Sequence, residues 1–140
     1  MTTICTDGLS MAADSRGTTG DIVTSSKAKK LHRLPDGSII GSAGVTKDCL
    51  RAIDAIADGK EYDGDYTLLR LMPDGKVLKY ECCTYGMESE LPATIGTGRE
   101  VALGAMLAGA NPKRAVTIAA SCDVYTGGDV SVLRPRKPKK

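Results

Sequence analysis

The chain has 140 residues, of which 41% are hydrophobic and 26% are charged, and its formal net charge at pH 7 is +2. This length and composition are those of one globular domain with an ordinary core. The small net charge gives no support for a nucleic-acid or membrane partner, and we expect neither.

Three Asp-Gly pairs, Asp7-Gly8, Asp36-Gly37 and Asp74-Gly75, predict antiparallel hairpins in the first 81 residues. Asp-Gly favours tight hairpin turns because it tolerates the positive φ angles that such turns need. The first turn is expected to be a two-residue turn. The three turns join residues 2–6 to 9–14, residues 30–34 to 38–43, and residues 66–72 to 76–81.

One helix is predicted before the third hairpin and another after it. The first spans Thr46–Asp58, with Thr46 as its cap, apolar residues at three- and four-residue spacing, and Gly59 as its C-terminal stop. The second spans residues 98–108, because Thr97 and Glu100 have the spacing of a capping box.

A third helix is predicted from Asn111-Pro112 to about residue 122, since Asn caps helices and Pro suits their first turn. A last strand is predicted over residues 129–133. Strands therefore occur in runs that are separated from the helices. This order indicates an α+β fold and not a parallel sheet with crossover helices.

The chain contains one histidine and five cysteines, which are Cys5, Cys49, Cys82, Cys83 and Cys122. An odd number of cysteines without a CxxC pair indicates reduced core residues of a cytoplasmic protein. We find no signal-peptide pattern and no apolar stretch of membrane-spanning length. His32 alone cannot build the common His-based catalytic or metal sites, and we expect it at the surface or at the core boundary.

An enzyme without a catalytic histidine can use an N-terminal threonine whose own α-amine is the base. Removal of Met1 would leave Thr2 with a free amine, which titrates near pH ~8 in peptides. A neighbouring lysine ammonium would favour the neutral form of that amine.

Six short motifs occur in the order that is found in proteasome β subunits and bacterial HslV. The chain therefore resembles this branch of the N-terminal nucleophile hydrolases from residue 2 to residue 133. The steps from Asp14 to Lys30 and from Lys30 to Gly44 are also similar to the family's. The motifs are Thr2-Thr3-Ile4, Ala13-Asp14, Lys29-Lys30, Gly41-Ser42-Ala43-Gly44 followed by Asp48, Gly96-Thr97-Gly98, and Asp123-Val124-Tyr125-Thr126-Gly127-Gly128.

The resemblance implies an α+β fold with a four-layer αββα sandwich of antiparallel sheets. One helical layer should be reduced, because only residues 60–65 separate the first helix from the next hairpin, where the family has a second long helix. We expect a single domain over residues 1–133, followed by a basic flexible tail over residues 134–140.

The resemblance also implies a threonine-type endopeptidase that hydrolyses amide bonds of polypeptides. Thr2 would be the nucleophile after removal of Met1, and its amine would be the base. Lys30 would lower the pKa of that amine, and Asp14 would pair with Lys30. The backbone N–H of Gly44 would stabilise the oxyanion.

Further roles follow from the same resemblance. Thr97, Asp123 and Thr126 match the supporting hydroxyl–carboxylate–hydroxyl set, and Ser42 matches a position that lines the pocket for the substrate side chain. Main-chain carbonyls of Ala120, Asp123 and Thr126 match a site for Na⁺ or Mg²⁺. No organic cofactor is expected. The partners would be further copies in a homo-oligomeric ring and a separate ring ATPase that unfolds the substrate.

Each motif also has a simpler interpretation. Asp14 could be an exposed strand-end carboxylate, and Lys30 could belong to a solvated basic run in which only one of Lys29 and Lys30 is buried. Thr97 could be a helix cap, and Asp123 could lie at a helix exit. Two other functions also remain open, namely a non-catalytic ring or scaffold subunit and an amidase of the same superfamily with a narrow substrate.

Overall fold

The computed structural model describes residues 2–137, which form eleven strands and three helices. The strands are β1 (Thr3–Thr6), β2 (Met11–Ala13), β3 (Gly17–Thr19), β4 (Ile22–Ser25), β5 (Leu31–Arg33), β6 (Ile39–Gly44), β7 (Tyr66–Leu71), β8 (Val77–Glu81), β9 (Met87–Ser89), β10 (Ala93–Gly96) and β11 (Ser131–Leu133). The helices are α1 (Thr46–Asp58), α2 (Arg99–Leu107) and α3 (Pro112–Ala120).

Two antiparallel sheets face each other in the centre of the molecule. One has the strand order β10-β1-β2-β11 and the other the order β5-β6-β7-β8-β9. Side chains of β1 and β2 such as Ile4 and Met11 pack between the sheets against Ile39, Leu69 and Leu71, and all five are 0% exposed. Alternation along each strand directs the neighbouring side chains to the outer faces.

The helices cover the two outer faces, as a four-layer αββα sandwich requires. Helices α2 and α3 pack on β1 and β2, where Cys5 and Ala12 meet Ala102, Val116 and Ala119. Among the helices of residues 2–137, only α1 packs on the other sheet. The predicted fold class and the reduction of one helical layer are therefore confirmed.

The predicted helices are present, but their N-terminal caps differ. Helix α1 ends at Gly59 with a φ of 69°, as predicted, but its cap is Val45, and Thr46 is its first residue. Helix α2 is capped by Gly98 with no side-chain hydrogen bond, so the capping role predicted for Thr97 is wrong. Asn111 caps α3 as predicted, since its side chain accepts from the N–H of Arg114.

The three hairpins are confirmed, although their turns are longer than two residues. In the first, the Asp7 carboxylate accepts from the N–H groups of Leu9 and Ser10 and shapes a four-residue loop. Gly37 and Gly75 have φ of 89° and 92° in the other two turns. The Asp-Gly signal identified the turns, whereas local hydrogen bonds set their lengths.

Strands β3, β4, β9 and β10 were not predicted. The β3–β4 hairpin is largely exposed, so its sequence does not show the alternation of a half-buried strand. Strands β9 and β10 have only three and four residues. Pairing with β8 stabilises β9, and pairing with β1 stabilises β10. A local sequence pattern does not report such pairing.

The start of the predicted tail is held against the β5–β6 hairpin. The Arg134 carbonyl accepts from the Arg33 guanidinium at 2.9 Å, and the Arg136 N–H donates to the Gly37 carbonyl at 2.9 Å. Residues 138–140 of the predicted tail lie outside the described residues, as does Met1.

All five cysteines are free thiols. Cys5 and Cys49 are buried core residues as predicted, but Cys82 and Cys122 are exposed and Cys83 is half-buried, so the core assignment is wrong for these three. They lie in connecting segments outside the packed layers. Within residues 2–137, none of the three helices has the length and apolar character needed to cross a bilayer.

Candidate active site

Thr2 directly precedes β1 and is only 1% exposed. Its main chain is held by the segment that follows β10. The Thr2 carbonyl accepts from the Thr97 hydroxyl and from the Gly98 N–H, both at 3.3 Å. An inner strand of the sheet and the segment after β10 therefore fix the position of this threonine.

Thr2, Asp14 and Lys30 form one hydrogen-bonded cluster. The Lys30 ammonium donates to Thr2 Oγ1 at 2.6 Å and to Asp14 Oδ1 at 2.9 Å, and the Thr2 hydroxyl also donates to Asp14 Oδ1. The Asp14 side chain is 0% exposed and that of Lys30 is 10% exposed. The three residues that were predicted to act together are therefore in contact.

Backbone donors hold the Asp14 carboxylate in place. Oδ1 accepts from the N–H of Thr3 at 3.2 Å, and Oδ2 accepts from the N–H groups of Gly127 at 3.0 Å and Arg16 at 3.3 Å. A buried carboxylate is stable when its oxygens are satisfied in this way. Asp14 is therefore not the exposed strand-end residue of the simpler interpretation.

Lys30, and not Lys29, is the lysine that turns inward. Lys29 is exposed, whereas Lys30 reaches Thr2. Burial is the main influence on Lys30 and holds its pKa below the ordinary value of 10.5, while the Asp14 carboxylate opposes this shift. The buried ammonium is thus placed directly beside the hydroxyl of Thr2.

The predicted supporting set is also assembled. Asp123 Oδ2 accepts from the hydroxyls of Thr97 and Thr126, each at 2.6 Å. The Thr126 hydroxyl lies 2.7 Å from that of Thr3, which was not predicted as a site residue. Thr3 links this set to β1, and its only sequence signal is its position next to Thr2.

Hydrogen bonding makes Asp123 a stronger acid than usual. Burial alone would raise its pKa, but the hydroxyls of Thr126 and Thr97 and the N–H of Tyr125 outweigh this effect and hold the pKa below 3.8. The ionised carboxylate is therefore the form that the folded site prefers.

A pH-dependent loss of stability follows from Asp123. Its folded-state pKa lies below the unfolded value, so the carboxylate stabilises the fold above the unfolded pKa and loses this contribution as the pH falls through the folded pKa. Asp123→Asn should lower the urea midpoint near neutral pH, and the difference from wild type should close below pH 3.8. The exposed Asp63→Asn is the control, and a difference that is constant with pH would contradict the assignment.

Gly44 ends β6 beside Thr2 in a conformation that suits only glycine. Its φ is +131°, and an added Cβ would lie 2.8 Å from the Asp65 carbonyl oxygen and 2.9 Å from Tyr66 Cα. The backbone of β6 thus approaches β7 more closely than a side chain would permit.

Gly44→Ala is therefore expected to lower both stability and activity, because β6 must move away from β7. Gly104→Ala in α2 is the matched control, since Gly104 is exposed and has no atom within 4 Å of an added Cβ. The control should stabilise the protein by about 1 kcal/mol. Thermal unfolding and peptide turnover measure both effects, and equal unfolding temperatures for the two variants would contradict the close approach.

A cavity of about 420 Å³ opens beside Thr2. Lys30, Ser42 and Gly44 line it, and the β3–β4 hairpin forms another wall. The predicted role of Ser42 toward a substrate side chain stays a prediction. Leu50 of α1 also lines this cavity, a position that was not predicted. It is 48% exposed.

His32 is half-buried at the core boundary and also lines the cavity, a role that was not predicted. Burial, followed by the positive charge of Lys29, lowers its pKa below 6.5, although Asp54 opposes this. Among the described residues, its Nε2 has no hydrogen-bond partner. His32 is therefore neutral near pH 7 and retains an unused polar atom.

The loop predicted to hold a cation is a compact turn. The Asp123 N–H donates to the Ala119 carbonyl at 2.8 Å, and the Asp123 carbonyl accepts from the Thr126 N–H at 3.1 Å. One lone pair of that carbonyl oxygen is thus already engaged. Residues 2–137 contain no group of three His, Cys, Asp or Glu side chains with metal-binding geometry. A cation on the main-chain carbonyls of Ala120, Asp123 and Thr126 stays a prediction.

Comparison with known proteins supports the resemblance seen in the motifs. Residues 2–62 match the proteasome subunit family. The chain is 36% identical over 58 residues to the proteasome subunit beta of Methanococcus aeolicus, a match that covers 39% of this chain and 27% of that protein. It is 37% identical over 60 residues to the proteasome subunit beta 1 of Thermococcus gammatolerans, covering 42% and 30%. The match thus spans less than a third of these relatives' length.

Solved structures extend the likeness to the whole fold. The eukaryotic HslV of Trypanosoma brucei superposes with a TM-score of 0.73 at 22% identity, covering 95% of this chain and 98% of that one. The BPH of Thiobacillus denitrificans, which has also been solved in complex with epoxomicin, superposes with a TM-score of 0.74 at 19% identity, covering 96% and 98%. Residues 2–62 therefore match the proteasome subunit family, and the whole chain has an HslV-like fold.

Proposed function

We propose that the chain is a threonine-type peptidase in which Thr2 is the nucleophile once its amine is free. The observation that carries this proposal is the cluster of Thr2 Oγ1 with the Lys30 ammonium at 2.6 Å and the Asp14 carboxylate, buried beside a cavity. A hydroxyl in contact with both groups can be polarised and held for attack.

The proposed reaction begins when the Thr2 amine accepts the proton of the Thr2 hydroxyl. Oγ1 attacks the substrate carbonyl carbon, and the backbone N–H of Gly44 stabilises the resulting oxyanion. The C–N bond then breaks, the leaving amine takes the proton, and an ester remains on Thr2. Water attacks this ester with the same amine as base and restores the free hydroxyl.

The neighbouring residues serve this chemistry by position and charge. The Lys30 ammonium favours a neutral Thr2 amine by charge repulsion, and Asp14 holds Lys30 in place. The set of Thr97, Asp123 and Thr126 orients the start of β1, because Thr97 donates to the Thr2 carbonyl. Any residue that precedes Thr2 must be removed, since an acylated amine cannot act as the base.

Polypeptides are the proposed substrate class, and a homo-oligomeric ring served by a separate ring ATPase is the proposed assembly. The relatives are named as proteasome subunits, which fits a multi-subunit particle. We also place the protein in the cytoplasm, because its five free cysteines suit a reducing compartment.

The other two candidate functions differ in what they require. A non-catalytic scaffold subunit would not need Thr2, Asp14 and Lys30 in contact, and this contact favours the peptidase. An amidase with a narrow substrate is favoured by one observation, the single helix that covers the second sheet. Native mass spectrometry separates these functions, because a large homo-oligomer is expected for the ring peptidase and a monomer or dimer for the amidase.

The test of the proposed function is the intact mass of the purified protein before and after treatment with a peptide epoxyketone. The expected results are a mass that begins at Thr2 and a gain of one inhibitor. Thr2→Ala, treated in the same way, should gain none. A wild-type protein that begins at Thr2 but takes up no inhibitor and cleaves no peptide would contradict the proposal.

A further inference from the structure

We propose that the cavity beside Thr2 selects an acidic side chain, Glu or Asp, on the acyl side of the bond to be cleaved. This inference rests on the proposed function, because it takes Thr2 as the point of attack. It adds a substrate preference that follows from the charges of this chain's own residues.

Every ionisable side chain that lines the cavity is basic or neutral. Arg16, Lys29, Lys30 and His32 line it, and no Asp or Glu among residues 2–137 does so. The charge of Lys30 is offset by Asp14 at 2.9 Å. Arg16 and Lys29 therefore supply an excess of positive charge at the cavity.

Within residues 2–137, ion pairs do not neutralise the charges of Arg16 and Lys29. The Arg16 guanidinium donates to the Val124 carbonyl at 2.9 Å, which is a neutral acceptor. The ion pairs of the described part of the chain include neither Arg16 nor Lys29. A carboxylate that enters the cavity would therefore meet cations that have no carboxylate partner in the described part of the chain.

The other residues that line the cavity favour a substrate side chain that accepts hydrogen bonds over an apolar one. Four hydroxyl-bearing residues of the β3–β4 hairpin, Thr18, Thr19, Thr24 and Ser25, line the cavity together with Ser42. No Tyr lines it, and the chain has no Phe or Trp. A carboxylate can accept several hydrogen bonds from such donors. A large apolar side chain would remove polar groups of this lining from water without offering them a hydrogen bond, which costs free energy.

The charges also disfavour a basic substrate side chain. Arg16 already lowers the pKa of Lys30 through like-charge repulsion, although burial is the larger cause. The positive field of Arg16 thus reaches the cluster at Thr2. A further ammonium or guanidinium from a substrate would experience the same repulsion.

The test uses three fluorogenic peptides that differ only in the residue before the cleaved bond, which is Glu, Leu or Arg. At low ionic strength, kcat/KM for the Glu peptide should exceed that for Leu by about tenfold or more, with Arg lowest. Added salt should shrink the advantage of Glu, because mobile ions screen exposed charges.

Lys29→Glu is the variant that tests the source of the preference, because Lys29 is exposed and lies outside the proposed catalytic residues. It should reduce the Glu-to-Leu ratio by about tenfold and raise turnover of the Arg peptide. Lys27→Glu is the matched control: it makes the same charge change on an exposed residue that does not line the cavity, and it should leave the ranking unchanged.

The outcomes separate the two proposals. If all three peptides are cleaved but Leu is preferred, or if Lys29→Glu leaves the ratio unchanged, the acidic preference is wrong and the peptidase proposal stands. If no peptide is cleaved by protein that begins at Thr2, the proposed function fails, and the preference fails with it.

Discussion

Thr2→Ala is expected to abolish peptide hydrolysis while the protein stays folded. The substitution removes the only atom that can form the ester, and the amine and Lys30 cannot replace it. Turnover of a fluorogenic peptide should fall to background. The circular dichroism spectrum should match that of wild type, because the β1 backbone keeps its pairing with β2 and β10.

Two comparisons make this result specific to Thr2. Thr2→Ser keeps a hydroxyl and an amine and should retain measurable turnover. Thr6→Ala also deletes a buried threonine hydroxyl of β1, one that donates to the Ser10 carbonyl at 2.6 Å, and should leave turnover close to wild type. Unchanged turnover in Thr2→Ala would remove the basis of the enzymatic proposal.

Lys30→Ala is expected to lower both activity and stability. Loss of the ammonium removes the group that contacts Thr2 Oγ1, and kcat/KM should fall by about 10²- to 10³-fold, as for loss of one electrostatic stabiliser. Asp14 would keep its three backbone N–H donors but lose the positive charge of Lys30. Its side chain is 0% exposed, so water cannot replace that charge. Breaking a buried ion pair costs about 3–5 kcal/mol of stability. Because the three backbone donors to Asp14 remain, we expect a loss near the lower end of this range.

The matched control for Lys30→Ala is Lys29→Ala, the neighbouring lysine whose side chain is exposed. It should leave the free energy of unfolding within about 0.5 kcal/mol of wild type. Urea denaturation and peptide turnover measure both variants. If Lys30→Ala keeps wild-type kcat/KM, the proposed role of Lys30 is wrong, whatever the change in stability.

The parts of the fold that were predicted correctly are specified by interactions between residues that are close together in the sequence. Asn111 and Pro112 specify the start of α3, and Gly59 specifies the end of α1, through their own backbone preferences. The Asp-Gly pairs identified three hairpins for the same reason. Their turn lengths were not predictable, because side-chain acceptors such as Asp7 compete for the loop N–H groups.

The order of the motifs predicted which residues form the candidate site. The fold determined how these residues contact one another. The spacing of Asp14, Lys30 and Gly44 indicated a common site with Thr2, which the structure assembles. Thr97 had two interpretations, and its hydrogen bond to Asp123 at 2.6 Å decided against the helix cap.

By itself, the sequence determined the helices, the three hairpins, the α+β class and the motif positions, because capping, turn chemistry and residue spacing are local properties. Only the tertiary structure decided that Asp14 is buried among backbone donors and that Thr3 joins Thr126. It also decided that His32 and Leu50 line the cavity with Arg16 and Lys29. These contacts join segments far apart in the chain, and the packing of two sheets and a hairpin brings them together.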